Sequence, residues 1–248
     1  MHKSEQRYDA PMSEQVDFWN SWNRCRETQR GEVSLEQSKV VSSWLERLAR
    51  TDLNIIDVGC GAGWMCENLV RFGHVTGTDL SDEVLKRAAM RVPSAKFISG
   101  DFMAMDFEPM SYDVAVSLEV LSHVNNQAAY LNKISDILRS GGYLMLATQN
   151  RPALERNDIP AAAEGQIRRW VDRHELSELL NDRFEVIEMF SITPQFNSGY
   201  LRYLNSSKLG SLFASIGLDA VNKFVKTSQE KAWLGWTIMA LARKREVR

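Results

Sequence analysis

Hydrophobic positions along the chain change their period several times. Leu35, Val40, Val41, Trp44, Leu45 and Leu48 recur at helical spacing and predict a helix over residues 35–50. Leu53–Val58 then reads as a buried strand, followed by a turn, Gly59-Cys60-Gly61-Ala62-Gly63. Residues 64–72 predict a helix and 74–79 a second strand, after which Ser81 caps a helix running to Arg91. Residues 95–99 and Tyr112–Leu118 predict the third and fourth strands. Residues 127–139 predict a helix stopped by Gly141-Gly142, and 143–148 a fifth strand. Strands alternating with helices imply a parallel sheet covered on both faces.

After Asn150 the alternation lapses. Residues 151–171, with Pro152 and Pro160, read as an irregular connection. Asp172-Arg173-His174-Glu175 has the form of a capping box and opens a short helix through Leu180. Phe184–Ile192 predicts a sixth strand and 233–242 a seventh. Having no helical return between them, these two pair most simply antiparallel. The insertion between them, 193–232, carries Leu201, Leu204, Leu209, Leu212, Phe213 and Ile216 at helical spacing. Near the N-terminus, Phe18 and Trp22 share a helix face, either packing on the body or forming a flap over a ligand.

With 248 residues, a hydrophobic content of 44% and 25% charged residues, the chain suits one α/β domain with additions. A net charge of −2 supplies no global attraction to nucleic acid or acidic lipid. No apolar run reaches the roughly 18 residues of a spanning helix, and residues 1–7 lack the apolar centre of a secretory signal. Cys25, Cys60 and Cys66 form no C-x-x-C pattern, so neither a disulfide framework nor a metal site is expected, and a reducing cytoplasm fits.

The candidate chemistry falls at strand ends, where open parallel sheets bind ligands. Asp57 ends the first strand, ahead of Gly59-x-Gly61-x-Gly63, whose backbone N–H groups could approach a carboxylate. Asp79 ends the second strand and could accept both hydroxyls of a ribose. Asp101 follows the third and could accept from an adenine amine, with Phe102 offering a backbone N–H and an apolar ring. A dinucleotide fingerprint would need glycine at position 64, where Trp64 stands. His123 follows the fourth strand and reads equally as a general base or as a structural hydrogen-bonding residue. Cys60 reads as a small residue filling a tight turn, Cys66 as core, His74 as a strand-edge residue and His174 as an exposed member of the capping box.

Asp57-Val58-Gly59-Cys60-Gly61-Ala62-Gly63 resembles motif I of class I S-adenosylmethionine (SAM)-dependent methyltransferases. Thr76-Gly77-Thr78-Asp79-Leu80-Ser81 is similar to their motif II, and Gly100-Asp101-Phe102 to their adenine-binding motif. Leu118-Glu119-Val120-Leu121-Ser122-His123-Val124 resembles the fourth-strand segment of the small-molecule branch. Leu138-Arg139-Ser140-Gly141-Gly142-Tyr143, with Thr148-Gln149-Asn150-Arg151 and Arg169-Trp170-Val171, is similar to the ubiquinone-biosynthesis O-methyltransferases, which usually have proline at the place of Ser140. The resemblance is strong over residues 53–151. It implies SAM as cofactor, with Asp57, Gly59, Cys60, Gly61, Asp79, Leu80, Asp101, Phe102, Leu118 and Glu119 as its binding residues, Glu119 helping to hold the amino acid end.

The expected architecture is a Rossmann-like α/β fold with a seven-stranded, mostly parallel sheet in the order 3-2-1-4-5-7-6, flanked by helices and carrying helical lid insertions. One methyltransferase domain spans 1–248: an N-terminal flap (1–34), a SAM-binding core (35–151), the C-terminal part of the sheet (152–192 and 233–248) and a helical lid (193–232).

The expected function is methyl transfer from SAM to an oxygen or nitrogen of a small or medium-sized acceptor: a quinone or phenol, a secondary metabolite, or a saccharide or lipid-linked intermediate. His123 is the candidate base, and Gln149 or Asn150 could orient the acceptor. No metal, nucleic acid or membrane span is expected. Arg202, Lys208, Lys223, Lys226 and Lys231 in the insertion leave open a peripheral contact with an anionic membrane or lipid-linked substrate. An NAD-dependent oxidoreductase and a non-catalytic SAM-binding protein are the competing readings.

Overall fold

The computed structural model describes residues 10–25, 31–199, 202 and 219–246. Among them one sheet is built from β1 (Leu53–Val58), β2 (Gly73–Asp79), β3 (Lys96–Ser99), β4 (Tyr112–Leu118), β5 (Leu138–Gln149), β6 (Phe184–Ile192) and β7 (Thr237–Lys244). The strand order is β3-β2-β1-β4-β5-β7-β6. Strands β1 to β5 pair in parallel, whereas β7 runs antiparallel to both β5 and β6. Order and direction are those expected from the sequence.

The helices in chain order are α1 (Met12–Cys25), α2 (Glu32–Leu48), α3 (Cys66–Leu69), α4 (Asp82–Arg91), α5 (Gln127–Ile137), α6 (Arg151–Leu154), α7 (Arg173–Asn181) and α8 (Asp219–Lys231). Adjacent strand residues face opposite ways, so the sheet feeds two cores. Ile55, Val116, Met145 and Met239 pack with Val41, Trp44 and Leu45 of α2. Ile56, Ala115, Leu144 and Ile238 pack with Leu131 and Ile134 of α5 and Leu176 and Leu180 of α7.

Polar caps set the helix starts. The Ser81 hydroxyl accepts from Val84 N at 3.1 Å, and Asn126 Oδ1 accepts from Ala129 N at 3.0 Å. The capping box before α7 forms with both halves, Asp172 accepting from Glu175 N and Glu175 from Asp172 N.

Three of the differences from the expected element boundaries have a physical cause in the structure. The helix expected over 64–72 is only the four-residue α3, because the chain must turn into β2 at Gly73. Gly73 has φ +153°, and a Cβ there would lie 1.9 Å from the Leu53 carbonyl oxygen. The helix expected through Arg139 stops at Ile137, since Leu138 is extended and pairs with Tyr112. Gly141-Gly142 therefore sits in a bulged part of β5, between the Tyr112–Leu138 and Val114–Tyr143 pairs, and not at a helix end. The seventh strand starts at Thr237, not at 233. Trp233 has φ +60°, and the Asn150 amide ties down the carbonyls of Trp233 and Gly235 at 2.9 and 2.7 Å.

Of the insertion, Leu201, Leu204, Leu209, Leu212, Phe213, Ile216 and Lys208 lie outside the described residues. Its last part forms α8, whose Glu230 carbonyl accepts from Ser191 Oγ and whose Lys226 lies 3.8 Å from Glu36 of α2. None of the helices among the described residues is long and apolar enough to cross a membrane.

Candidate active site

The carboxyl ends of β1, β2 and β4 carry the acids singled out in the sequence. Asp57 is buried and accepts from the Cys66 thiol at 3.2 Å. Burial pushes its carboxyl up to about 7, opposed by that S–H donor. At Asp79, Oδ2 accepts from Gly61 N at 2.9 Å and Oδ1 from Ser81 N at 3.0 Å. Burial raises its pKa too, while the backbone donors pull it back down. Asp79 thereby fixes the glycine turn to the end of β2. The turn lies close to β4: Gly59 has φ +72°, and a Cβ there would lie 2.3 Å from Val120 Cγ2.

Cys60 is buried within the turn, and Leu80 is partly buried after β2. Asp101 accepts from Met103 N at 2.9 Å, closing a local turn. The Phe102 ring is buried, with its centroid 5.5 Å from those of Phe107 and Tyr130, so it serves the core beneath the site. Leu118 packs partly buried at the end of β4.

Glu119 follows in a left-handed conformation, φ +62°. Its Oε1 accepts from Gln37 Nε2 at 2.6 Å and from Thr237 Oγ1 at 2.8 Å. Oε2 is buried and makes no hydrogen bond among the described residues. Burial raises the Glu119 pKa to about 7, with the Thr237 and Gln37 donors opposing it.

His123 ends a 3-10 turn, residues 121–123. Its Nδ1 lies 2.7 Å from the Ile167 carbonyl oxygen, which can only accept, so Nδ1 carries the proton and Nε2 the lone pair. Burial is the main cause that lowers its pKa to about 4, with the nearby Arg168 charge adding to it. The imidazole also meets Trp19 of α1 edge-on, centroids 4.7 Å apart.

Helix α1 covers this region. Phe18 and Trp22 stack at 5.8 Å, as their spacing suggested. Asn20 accepts from the Ser81 hydroxyl, and Asn23 Oδ1 lies 3.9 Å from where a Cβ on Gly61 would stand. The 151–171 connection reaches the same edge, Arg169 N donating to Ser122 O at 2.8 Å.

Asn150 is spent on the backbone before β7 and does not serve as an acceptor-orienting group, whereas Gln149 accepts from the Ser122 hydroxyl. Cys66, read as plain core, is buried but also donates to Asp57. Gln37 and Thr237 were not visible as site residues: Gln37 stands among polar neighbours, Glu36, Ser38 and Lys39, Thr237 opens an apolar run, and both are far from Glu119 in sequence. His74 and His174 are exposed. Among the described residues no cluster of His, Cys, Asp or Glu could hold a metal ion. A groove of about 620 Å³ lies between α5, α7 and residues 166–171, lined by Gln127, Arg151, Arg168 and Trp170 among others; none of the strand-end acids lines it.

Residues 56–146 match the family model described as a methyltransferase domain. A ubiquinone biosynthesis O-methyltransferase of Maricaulis maris is 33% identical over 107 residues, covering 40% of this chain and 41% of the relative. The matched stretch is thus less than half the length of that relative. The N-methyltransferase NodS of Bradyrhizobium japonicum, solved with S-adenosyl-L-homocysteine, superposes with a TM-score of 0.64 at 14% identity, covering 94% of this chain and all of the other. A SAM-dependent methyltransferase from Mesorhizobium loti gives 0.58 at 18% identity, covering 82% and 97%. At such identities the structural likeness speaks for the fold. The chain has the Rossmann-like sheet of the structures it superposes on, and its residues 56–146 match a methyltransferase domain.

Proposed function

We propose that the protein transfers the methyl group of SAM to an oxygen of a small or medium-sized acceptor, a phenol or quinol being the favoured class. The observation that carries the cofactor reading is the set of acids Asp57, Asp79, Asp101 and Glu119 around the glycine turn at one sheet edge. A ligand with an ammonium, a sulfonium and a ribose suits such a set. The bare, buried Glu119 Oε2 fits an ammonium, since a buried carboxylate oxygen without a donor is costly. Asp79 would take the ribose hydroxyls, Asp101 the adenine amine, and the turn from Gly59 to Gly61 the carboxylate.

Bound SAM supplies an electrophilic methyl group on a positively charged sulfur. The chain's own work is positioning and exclusion of water. Helix α1 closes the site by resting on Ser81 and His123. His123 is neutral at pH 7 with Nε2 as its basic atom. It would take the acceptor's hydroxyl proton as that oxygen receives the methyl group that bound SAM would supply. So weak a base suits an acidic hydroxyl, which favours a phenol over an alcohol. The printed names of the curated relatives, O-methyltransferases of ubiquinone biosynthesis, support oxygen as the methylated atom. The buried free thiols Cys60 and Cys66 suit a reducing compartment.

Trp64 argues against a nicotinamide cofactor: its ring lies under the Arg91 guanidinium at 3.5 Å, where a third glycine would be needed. Calorimetry with SAM and with NAD tests the cofactor, and NAD binding without SAM binding refutes the reading. Labelled SAM incubated with a cell extract then identifies the acceptor by its labelled product.

A further inference from the structure

We propose that Gln37 and Thr237 are positioning residues for the amino acid end of the cofactor, holding the Glu119 carboxylate by one oxygen so that the other takes the ammonium group. This rests on the reading of the site as a SAM site. It adds residues from α2 and β7, both outside the segment 56–146 that matches the family model.

Gln37 stands on the apolar face of α2, one turn before Val41 and two before Trp44, and is only 3% exposed. Thr237 is fully buried at the start of β7. Burying an amide and a hydroxyl among apolar neighbours costs free energy unless each has a partner. Both find it in Glu119 Oε1, and Gln37 Nε2 also lies 3.4 Å from Thr237 Oγ1. One carboxylate oxygen therefore has two donors and the other none.

The backbone holds this asymmetry in place. Glu119 N donates to the Ala147 carbonyl at 2.8 Å with Glu119 in the left-handed region, a conformation unfavourable for a residue with a Cβ. The next residue, Val120, lies against Gly59 of the glycine turn. The arrangement is complete only when a cation or donor reaches Oε2.

Titratable and charged groups on the surrounding elements include Asp57 on β1, His123 after β4, Glu36 and Lys39 on α2, Arg243 and Lys244 on β7, and Lys226 and Glu230 on α8. None is hydrogen-bonded to Glu119 among the described residues, and its raised pKa comes from burial opposed by the two donors alone. Removing a donor raises that pKa further. Ammonium binding needs the ionised carboxylate, so the acid limb of SAM binding then moves to higher pH.

The test uses the full chain with two probes, SAM and methylthioadenosine, which lacks the amino acid end. Gln37→Leu and Thr237→Val are each expected to weaken SAM roughly tenfold, the usual effect of losing a hydrogen bond to a charged group. Methylthioadenosine binding stays unchanged, and the acid limb of SAM binding shifts to higher pH. Thr237→Ser, which keeps the hydroxyl, restores SAM affinity. Glu119→Gln abolishes the preference for SAM over methylthioadenosine. Equal weakening of both probes, or unchanged SAM affinity, overturns the proposal. Failure of the unaltered protein to bind either probe refutes the SAM site itself.

Discussion

The thiol of Cys66 donates to Asp57 Oδ2 at 3.2 Å, so a buried carboxylate at the heart of the site is met by a weak donor and by no cation among the described residues. Asp57 and Glu119 both have folded pKa values near 7, well above the roughly 4 of an unfolded chain. For acids raised in this way the unfolded state binds fewer protons between the two values. Their contribution to stability is fully present below pH ~4 and is lost as pH rises through about 7. The melting temperature of the ligand-free protein should therefore fall by several degrees between pH 5 and 7.5. Asp57→Asn and Glu119→Gln should each flatten that slope in a calorimetric pH series; an unchanged slope in both would refute the assignment.

Asp79 links the glycine turn, the start of α4 and the expected ribose. Asp79→Ala should weaken SAM binding by roughly 1–3 kcal/mol, the range for removing a partner of buried hydrogen-bonding groups. Titration calorimetry measures it directly, and wild-type affinity in the variant would remove Asp79 from the cofactor site.

Trp19 packs edge-on against His123. Trp19→Ala should let the imidazole pKa rise from about 4 toward the usual 6.5, because burial is the main cause of its depression. A proton NMR titration, with His123→Gln used to assign the resonance, reads the change. A pKa that stays near 4 would mean that the 151–171 connection shields the ring instead.

His123→Ala should leave SAM affinity nearly unchanged and slow single-turnover methyl transfer by about 10²–10⁴. The loss should shrink at alkaline pH for a phenolic acceptor, which then ionises without help. At saturating SAM, the acid limb belonging to His123 should lie near pH 4 and not near 6.5. Normal transfer rates from the preformed complex would leave positioning alone to explain catalysis.

The strands were legible in the sequence wherever apolar runs were bounded by sharp local signals. Tyr112–Leu118 and Phe184–Ile192 have the observed bounds. The acids Asp57 and Asp79 were legible for the same reason, since each lies at the carboxyl end of a strand. What local pattern cannot see is pairing. Gly141-Gly142 has the look of a helix stop, yet the pairing of Leu138 with Tyr112 overrides it. Gln37, Glu119 and Thr237 are brought together only by the folded sheet, with 82 residues separating the first pair and 118 the second. Nothing in the neighbourhood of either partner marks it as part of a site.

The position of β7 bears on how the protein is made. It is the last of the described strands in sequence, yet it lies inside the sheet between β5 and β6. A nascent chain emerges N-terminus first and can assemble β1 to β5 early. The free edge of β5 then waits, exposed to pairing with other chains, until residues 237–244 arrive to fill the gap. A product of premature termination before Thr237 would lack an interior strand and not merely a tail, and would also lack a donor to Glu119.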